Sequence, residues 1–180
     1  MENLVTYSRS NPIPAGKFDR VFEILEYSFP PCERGSYALH RSEFTRDEFR
    51  CLCYEPEGIP EAFINYYILQ EIGALFVEHF ASAEELRGRG IGSAVMNALL
   101  KQAGKAMVVL EVEPPADELS SRRVELYRRL GFTLNEGSYF QPAFYGNPEP
   151  LPLMLMSTRP LSGSEFNKAA AAIHHNVYKV

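Results

Sequence analysis

The stretch Arg87-Gly88-Arg89-Gly90-Ile91-Gly92 is a glycine-rich loop that joins a strand pattern to a helix pattern. Glycine allows positive φ and close approach of the backbone to a ligand. A helix that starts here also directs unpaired N–H groups and its positive dipole end toward the loop. The arginine side chains add donor forks that suit phosphate oxygens. The loop therefore predicts a binding site for a phosphate-bearing ligand.

Two common phosphate-binding loops do not fit this stretch. A dinucleotide-binding loop requires G-x-G-x-x-G, and counting from Gly90 the third glycine would fall on Val95. A β-branched side chain at that position hinders the close packing of helix on strand. The sequence contains no Gly-Lys-Ser or Gly-Lys-Thr, which excludes a Walker loop. The loop is therefore either a site for another class of phosphate compound or a solvated turn with flanking charges.

The composition favours one domain with a single core. The chain has 180 residues, 46% of them hydrophobic, and a formal net charge of -5. A negative chain is a poor general binder of nucleic acid, because that affinity comes largely from neutralising phosphates. We see no apolar run of membrane-spanning length and no basic-then-apolar leader. We expect one domain over residues 1–180, in the cytoplasm, with neither nucleic acid nor membrane as partner.

The cysteines and histidines do not follow the spacing of a metal site. The cysteines are Cys32, Cys51 and Cys53, and the histidines are His40, His79, His174 and His175. No histidine stands at zinc-finger spacing from a cysteine pair, and an odd number of cysteines argues against a disulfide framework. We expect the cysteines to behave as small buried hydrophobic residues and the protein to need no metal.

Apolar periodicity predicts strands and helices along the whole chain. Strands are predicted at residues 49–54, 61–69, 73–81, 106–112, 132–140 and 151–157. Helices are predicted at residues 18–29, from the glycine loop to Gly104, at 120–130 and at about 162–178, the last after the capping box formed by Ser162 and Glu165.

A second motif gives the loop a family context. Residues 126–132 read Leu126-Tyr127-Arg128-Arg129-Leu130-Gly131-Phe132. They resemble the helix-ending Tyr-x-x-x-Gly-Phe of the GCN5-related N-acetyltransferases (GNAT), and residues 87–92 are similar to the R/Q-x-x-G-x-G/A pyrophosphate loop of that family. The resemblance covers residues 61–158, and the C-terminal helix, about 162–178, would be an extension.

The resemblance implies both a fold and a coenzyme. The fold would be α/β (α+β), with a mixed, mostly antiparallel sheet that is splayed in the middle and has helices on both faces. Acetyl-coenzyme A would lie in the gap between the strands ending near Ala81 and Val112. Its pyrophosphate would bind N–H groups of Arg87, Gly88, Arg89, Gly90, Ile91, Gly92 and Ser93, and its pantetheine arm would pair with Phe80, Ala81 and Ser82.

One position departs from the family pattern. Seven residues before Tyr127, where the family often has an asparagine that contacts the coenzyme, this chain has Ser120. The serine hydroxyl either replaces that contact or only caps the helix.

Acetyl transfer to an amine requires a neutral nucleophile. A lysine-like amine has a pKa of about 10.4 and is almost entirely protonated at pH 7. A carboxylate can remove the proton, and Glu78 is the first candidate, with Glu111 and Glu113 on the next strand as the second. Strand alternation places Glu78 and His79 on opposite faces, which predicts that the two cannot form a dyad. The alternative for Glu78 is a carboxylate at a strand edge without a catalytic role.

Tyr127 matches the position at which many family members carry a phenol that protonates the leaving thiolate. Its alternative is ordinary helix packing. The resemblance therefore implies an enzyme that transfers acetyl to a primary amine, of a small molecule or a peptide, by direct attack in a ternary complex. The aromatic loop that contains Tyr139, Phe140, Gln141, Phe144 and Tyr145 is either a wall for the acceptor or a hairpin whose aromatic rings pack on the sheet. Other hypotheses are a non-catalytic acyl-coenzyme A binding module or sensor, and a structural homodimer paired through the C-terminal helix.

Overall fold

The structure, a computed structural model, describes residues 2–31, 33–143 and 149–180. The strands are β1 (Leu4–Tyr7), β2 (Phe49–Tyr54), β3 (Ala62–Leu69), β4 (Ala74–Ser82), β5 (Met107–Val112), β6 (Thr133–Leu134), β7 (Tyr139–Gln141) and β8 (Leu151–Ser157). The helices are α1 (Ala15–Ser28), α2 (Tyr37–Glu43), α3 (Ile91–Ala103), α4 (Glu118–Arg129) and α5 (Gly163–Ile173), which continues into a π-helical turn, His174–Tyr178.

The sheet is mixed and mostly antiparallel, as predicted. Its strand order is β1-β2-β3-β4-β5-β8-β6, with β7 also paired to β8. Strand β4 pairs with β5 in parallel, from Ala74 opposite Met107 to Val77 opposite Leu110. The pairs β1–β2, β2–β3, β5–β8, β6–β8 and β7–β8 are antiparallel. No helix in the described part of the chain is long and apolar enough to cross a membrane.

The chain forms two compact units. The first consists of Met1–Tyr67 and Glu78–Gln102. Its core includes α1, whose buried residues Phe18, Val21, Phe22 and Leu25 recur at helical spacing. Each such side chain stabilises the fold by about 1.5 to 3 kcal/mol relative to exposure. The helix confirms the prediction at 18–29 and begins three residues earlier, at Ala15.

The second unit consists of Ile68–Val77 and Ala103–Val180. Helix α4 begins with a reciprocal capping box between Asp117 and Ser120. It ends at Arg129 and is closed by Gly131, whose φ of 90° suits glycine and whose N–H donates to the Arg128 carbonyl oxygen at 3.0 Å. The predicted capping box of Ser162 and Glu165 is confirmed at the start of α5.

The predicted strand at 132–140 was wrong as a single strand, because the structure divides it into β6 and β7. Asn135 interrupts it, since its side-chain amide donates to the Leu155 carbonyl oxygen at 3.1 Å and to Ser157 Oγ at 2.8 Å. Gly137 follows, and a Cβ there would lie only 2.6 Å from Cζ of Phe166. The sequence pattern also missed β1, which pairs with β2.

Cys51 and Cys53 are fully buried and unoxidised, with Sγ atoms 3.5 Å apart on one face of β2. This confirms the prediction of small buried residues for these two. Cys32, Phe144 and Tyr145 lie outside the described residues. Within residues 2–31, 33–143 and 149–180, no group of three or more potential metal ligands is found.

Candidate active site

The glycine loop ends at a helix N-terminus. Helix α3 begins at Ile91, and its first main-chain bond runs from the Ala94 N–H to the Gly90 carbonyl oxygen at 3.0 Å. The N–H groups of residues 91–93 precede that bond and point away from the helix body. Gly88 and Gly90 have φ of 75° and 78°, a backbone conformation that residues other than glycine rarely adopt. The loop thus has the predicted form of an anion-binding turn at the positive end of a helix.

Gly92 serves a different purpose from the other two glycines. Its φ is not in the positive range, but a Cβ on it would lie 3.0 Å from Cζ of Phe80. Glycine here allows the first turn of α3 to approach the end of β4 closely. The structure therefore brings together two residues that were predicted to bind different parts of the coenzyme.

Two of the predicted phosphate donors have other partners. The Arg87 N–H donates to the Glu84 carbonyl oxygen at 3.1 Å, and the Arg89 N–H donates to that of Leu86 at 3.3 Å. These two N–H groups already have main-chain acceptors, and the binding of a ligand by the N–H groups from residue 87 to residue 93 stays a prediction. Both acceptors belong to a short 3₁₀ helix, Glu84–Leu86, whose turns take up the donors that follow it.

Arg87 is oriented by its neighbours in the first unit. Its guanidinium lies 3.4 Å from a Glu84 carboxylate oxygen and 3.4 Å from Ser28 Oγ, and it stands over the ring of Tyr27 at 5.8 Å. The side chain is half exposed, so the ion pair contributes no more than about 1 kcal/mol. Such a weak pair leaves the arginine able to meet an anion.

The end of β4 is held beside β3. The Ala83 N–H donates to the Glu61 carbonyl oxygen at 2.7 Å. Phe80 and Ser82 are half-buried, and Ala81 is buried. These residues are anchored in position, and their pairing with a pantetheine arm stays a prediction.

Glu78 and His79 contradict the predicted separation. Oε2 of Glu78 lies 3.3 Å from Nδ1 of His79, and the two side chains are only 2% and 3% exposed. Alternation along a strand sets the direction of the Cβ atoms, whereas the carboxylate at the end of a flexible glutamate stem can turn toward its neighbour. The inference that these residues cannot act as a dyad was therefore wrong.

Further titratable groups surround this pair. Burial, together with the His79 ring 5.3 Å away, lowers the pKa of His40, on α2, to about 4. Burial raises the pKa of Glu43, which accepts from the Tyr67 hydroxyl at 2.6 Å and from Arg46 Nη1 at 2.7 Å. Sequence reasoning missed this cluster, although His40 and Glu43 stand three apart on one face of α2.

Tyr127 is buried on α4, in the second unit, with its ring edge-on to Phe132 at 5.7 Å between centroids. The Phe132 N–H donates to the Tyr127 carbonyl oxygen at 3.0 Å, which fixes the chain after the helix. Burial raises the pKa of Tyr127 to about 12. The phenol therefore keeps its proton at neutral pH, as a proton donor must.

The second-choice carboxylates have partners within the second unit. Glu113 accepts from Arg123 Nη1 at 2.7 Å, and both side chains are partly exposed. Glu111 accepts from the hydroxyl of Tyr139 and, at 2.7 Å, from that of Tyr178. The Tyr139 hydroxyl thus has a carboxylate partner, and the role of the aromatic loop in acceptor binding stays a prediction.

Ser120 takes the capping alternative. Its hydroxyl is 2.9 Å from Asp117 Oδ1 and also accepts from the Asp117 N–H at 3.1 Å. The side chain is buried. A role in coenzyme binding stays a prediction.

A mixed open sheet, a glycine turn leading into a helix and a Tyr-x-x-x-Gly-Phe helix end define the class of acyl-coenzyme A N-acyltransferases. The model of the acetyltransferase (GNAT) family matches residues 18–132. The chain belongs to this family.

Solved structures share the fold. A GNAT-family protein from Bacteroides thetaiotaomicron is 30% identical, with 98% of each chain covered and a TM-score of 0.86. An aminoglycoside 6'-N-acetyltransferase complexed with coenzyme A is 16% identical, with 88% of this chain and 98% of that chain covered and a TM-score of 0.65. The ribosomal-protein-S18-alanine N-acetyltransferase of Escherichia coli is also 16% identical, with 89% and 96% covered and a TM-score of 0.63. No curated protein matches the chain.

Proposed function

We propose that this protein transfers acetyl from acetyl-coenzyme A to a primary amine. The observation that carries the proposal is the N-terminus of α3, where positive-φ glycines precede N–H groups that lie before the first helical bond. Charge-assisted hydrogen bonds of this kind contribute about 1.5 to 3 kcal/mol each. Pyrophosphate oxygens of the coenzyme would bind there, and Arg87 and Arg89 would add charge. No metal takes part in the proposed reaction.

The reaction is a direct attack in a ternary complex. The neutral amine nitrogen bonds to the thioester carbonyl carbon, and the carbon–sulfur bond breaks. Glu78 takes a proton from the attacking amine nitrogen, and Tyr127 gives its hydroxyl proton to the coenzyme sulfur. Glu78 then releases its proton to solvent, and solvent returns one to Tyr127. Because the Glu78 side chain is buried, we propose that the amine proton reaches its carboxylate through a bound water. Tyr127 is protonated at neutral pH, as an acid must be, although its raised pKa makes proton transfer to sulfur less favourable.

An amine panel with detection of released thiol tests this function. The panel should include aminoglycosides and peptide N-termini, because proteins of similar fold are an aminoglycoside acetyltransferase and an alanine N-acetyltransferase. We expect thiol release that depends on one class of amine. Tight binding of acetyl-coenzyme A without turnover on any amine would instead favour an acyl-coenzyme A binding module or sensor.

A further inference from the structure

We propose that Glu78 and His79 hold one proton between them, carried on His79, and that His79 is a positioning residue that keeps Glu78 ionised. The inference rests on the proposed role of Glu78 as the base. His79 thereby gains a role beside Glu78, although strand alternation predicts that the two residues lie on opposite faces of the strand.

A contact with the main chain fixes which ring nitrogen of His79 carries a hydrogen. Its Nε2 lies 3.1 Å from the main-chain carbonyl oxygen of Glu33. A carbonyl oxygen only accepts, so Nε2 must carry a hydrogen. In a neutral imidazole the other nitrogen, Nδ1, would then be an acceptor with no hydrogen.

Nδ1 of His79 faces the carboxylate of Glu78. The oxygen that faces it, Oε2 of Glu78, is 3.3 Å away, an ion-pair distance. An ionised carboxylate also only accepts, so two lone pairs would face each other across this gap in a buried site. One proton shared by the pair removes that repulsion. The geometry therefore indicates either an imidazolium beside a carboxylate or a neutral imidazole beside a carboxylic acid.

Titratable and charged side chains surround the Glu78–His79 pair. Glu43, on α2, and Tyr67, on β3, lie near Glu78 and are bonded to each other, and Arg46 pairs with Glu43. The His40 ring lies 5.3 Å from that of His79, and Arg34 lies near His40. His40 is neutral near pH 7, because burial lowers its pKa to about 4. Arg34 and Arg46 each have a carboxylate partner, on Glu26 and Glu43. An imidazole is ordinarily more basic than a carboxylate, with a pKa of about 6.5 against about 4.3, which places the shared proton on His79.

The consequence concerns the base. Burial alone favours the uncharged acid of a carboxyl group, and an adjacent cation opposes this effect. The imidazolium of His79 thus keeps Glu78 ready to accept the amine proton near neutral pH. A second proton, gained at low pH, would inactivate the pair.

Nitrogen NMR of the His79 ring tests the proposal without any turnover. In the wild-type protein at pH 7 we expect both ring nitrogens to be protonated, with Nε2 keeping its proton over the whole pH range. Glu78→Gln should lower the pH at which Nδ1 loses its proton by about one unit or more, since an adjacent opposite charge has effects of this size. Exposed His175 is the internal control, with no response to the variant. An Nδ1 without a proton at pH 7, or unchanged in Glu78→Gln, would overturn the proposal.

Activity provides the second readout. His79→Gln keeps a donor for the Glu33 carbonyl oxygen but cannot carry charge. We expect the acidic limb of the kcat/KM profile to move up by about one pH unit or more, with coenzyme Kd unchanged. If the acidic limb of the kcat/KM profile stays at the wild-type pH in a folded His79→Gln protein, the positioning role of His79 is contradicted. If no amine is acetylated, the proposed function fails while the NMR result still decides the protonation of the pair.

Discussion

Gly92 and Phe80 are in such close contact that a Cβ on the glycine would lie 3.0 Å from Cζ of the ring. Gly92→Ala should therefore displace the ring, at a cost of about 1 to 3 kcal/mol for overpacking. The higher helix propensity of alanine offsets at most about 1 kcal/mol of this cost. We expect a lower unfolding free energy and weaker coenzyme binding, measured by denaturant titration and calorimetry. The double variant with Phe80→Leu should recover most of the stability, and no recovery would contradict the steric explanation.

The left-handed turn at Gly90 leads to a second prediction. Gly90→Val should abolish coenzyme binding in calorimetry, because a β-branched residue cannot hold φ of 78° without strain of about 1 to 3 kcal/mol. Gly73→Val is the matched control, since Gly73 has φ of 59° and also has open space around its Cβ position. Both variants should lose similar stability, and only Gly90→Val should lose the coenzyme. Retained affinity in Gly90→Val would refute the anion-binding turn.

Tyr127→Phe should separate catalysis from binding. Removal of a general acid lowers turnover by about 10²- to 10⁴-fold. Coenzyme Kd should change little, because the ring packing against Phe132 is retained. Thiol release under saturating substrates measures the first quantity and calorimetry the second. A variant that turns over at the wild-type rate would rule out Tyr127 as the acid and leave it a packing residue.

Ser120→Ala distinguishes capping from coenzyme contact. The hydroxyl interacts with Asp117, the N-cap of α4, so we expect a loss of about 0.5 to 1.5 kcal/mol in unfolding free energy, as for one hydrogen bond. Coenzyme affinity should not change. Ser121→Ala, at the next and exposed position of α4, is the control for helix propensity. A fall in affinity without a fall in stability would instead support the coenzyme contact.

Buried His40 predicts sensitivity to acid. Burial lowers its pKa from 6.5 to about 4, so below pH 6.5 the unfolded chain binds a proton that the folded protein does not. This stability is therefore present above pH 6.5 and is lost as the pH falls toward 4, by about 3 kcal/mol over that interval. His40→Gln should reduce the loss in urea titrations at several pH values. An equal decline in both proteins would show that other groups cause it.

Local patterns predicted the regular elements well. Strands β2 and β8 have the predicted bounds, and α3 begins and ends at the glycine loop and Gly104 as expected. These features depend on periodicity and on glycine at turns, which lie within a short window of sequence. The break between β6 and β7 depends instead on Asn135 bonding to β8, a partner far along the chain.

The sequence by itself determined the family, the glycine turn before α3 and the candidate acid, because each is written in short motifs whose chemistry does not depend on distant residues. Only the tertiary structure decided which charged groups meet. It brought Glu78 to His79 beside His40 and Glu43, and it gave Glu111 two tyrosine partners. Side-chain ends reach neighbours that strand alternation cannot foresee, and burial then sets which of those groups carry charge.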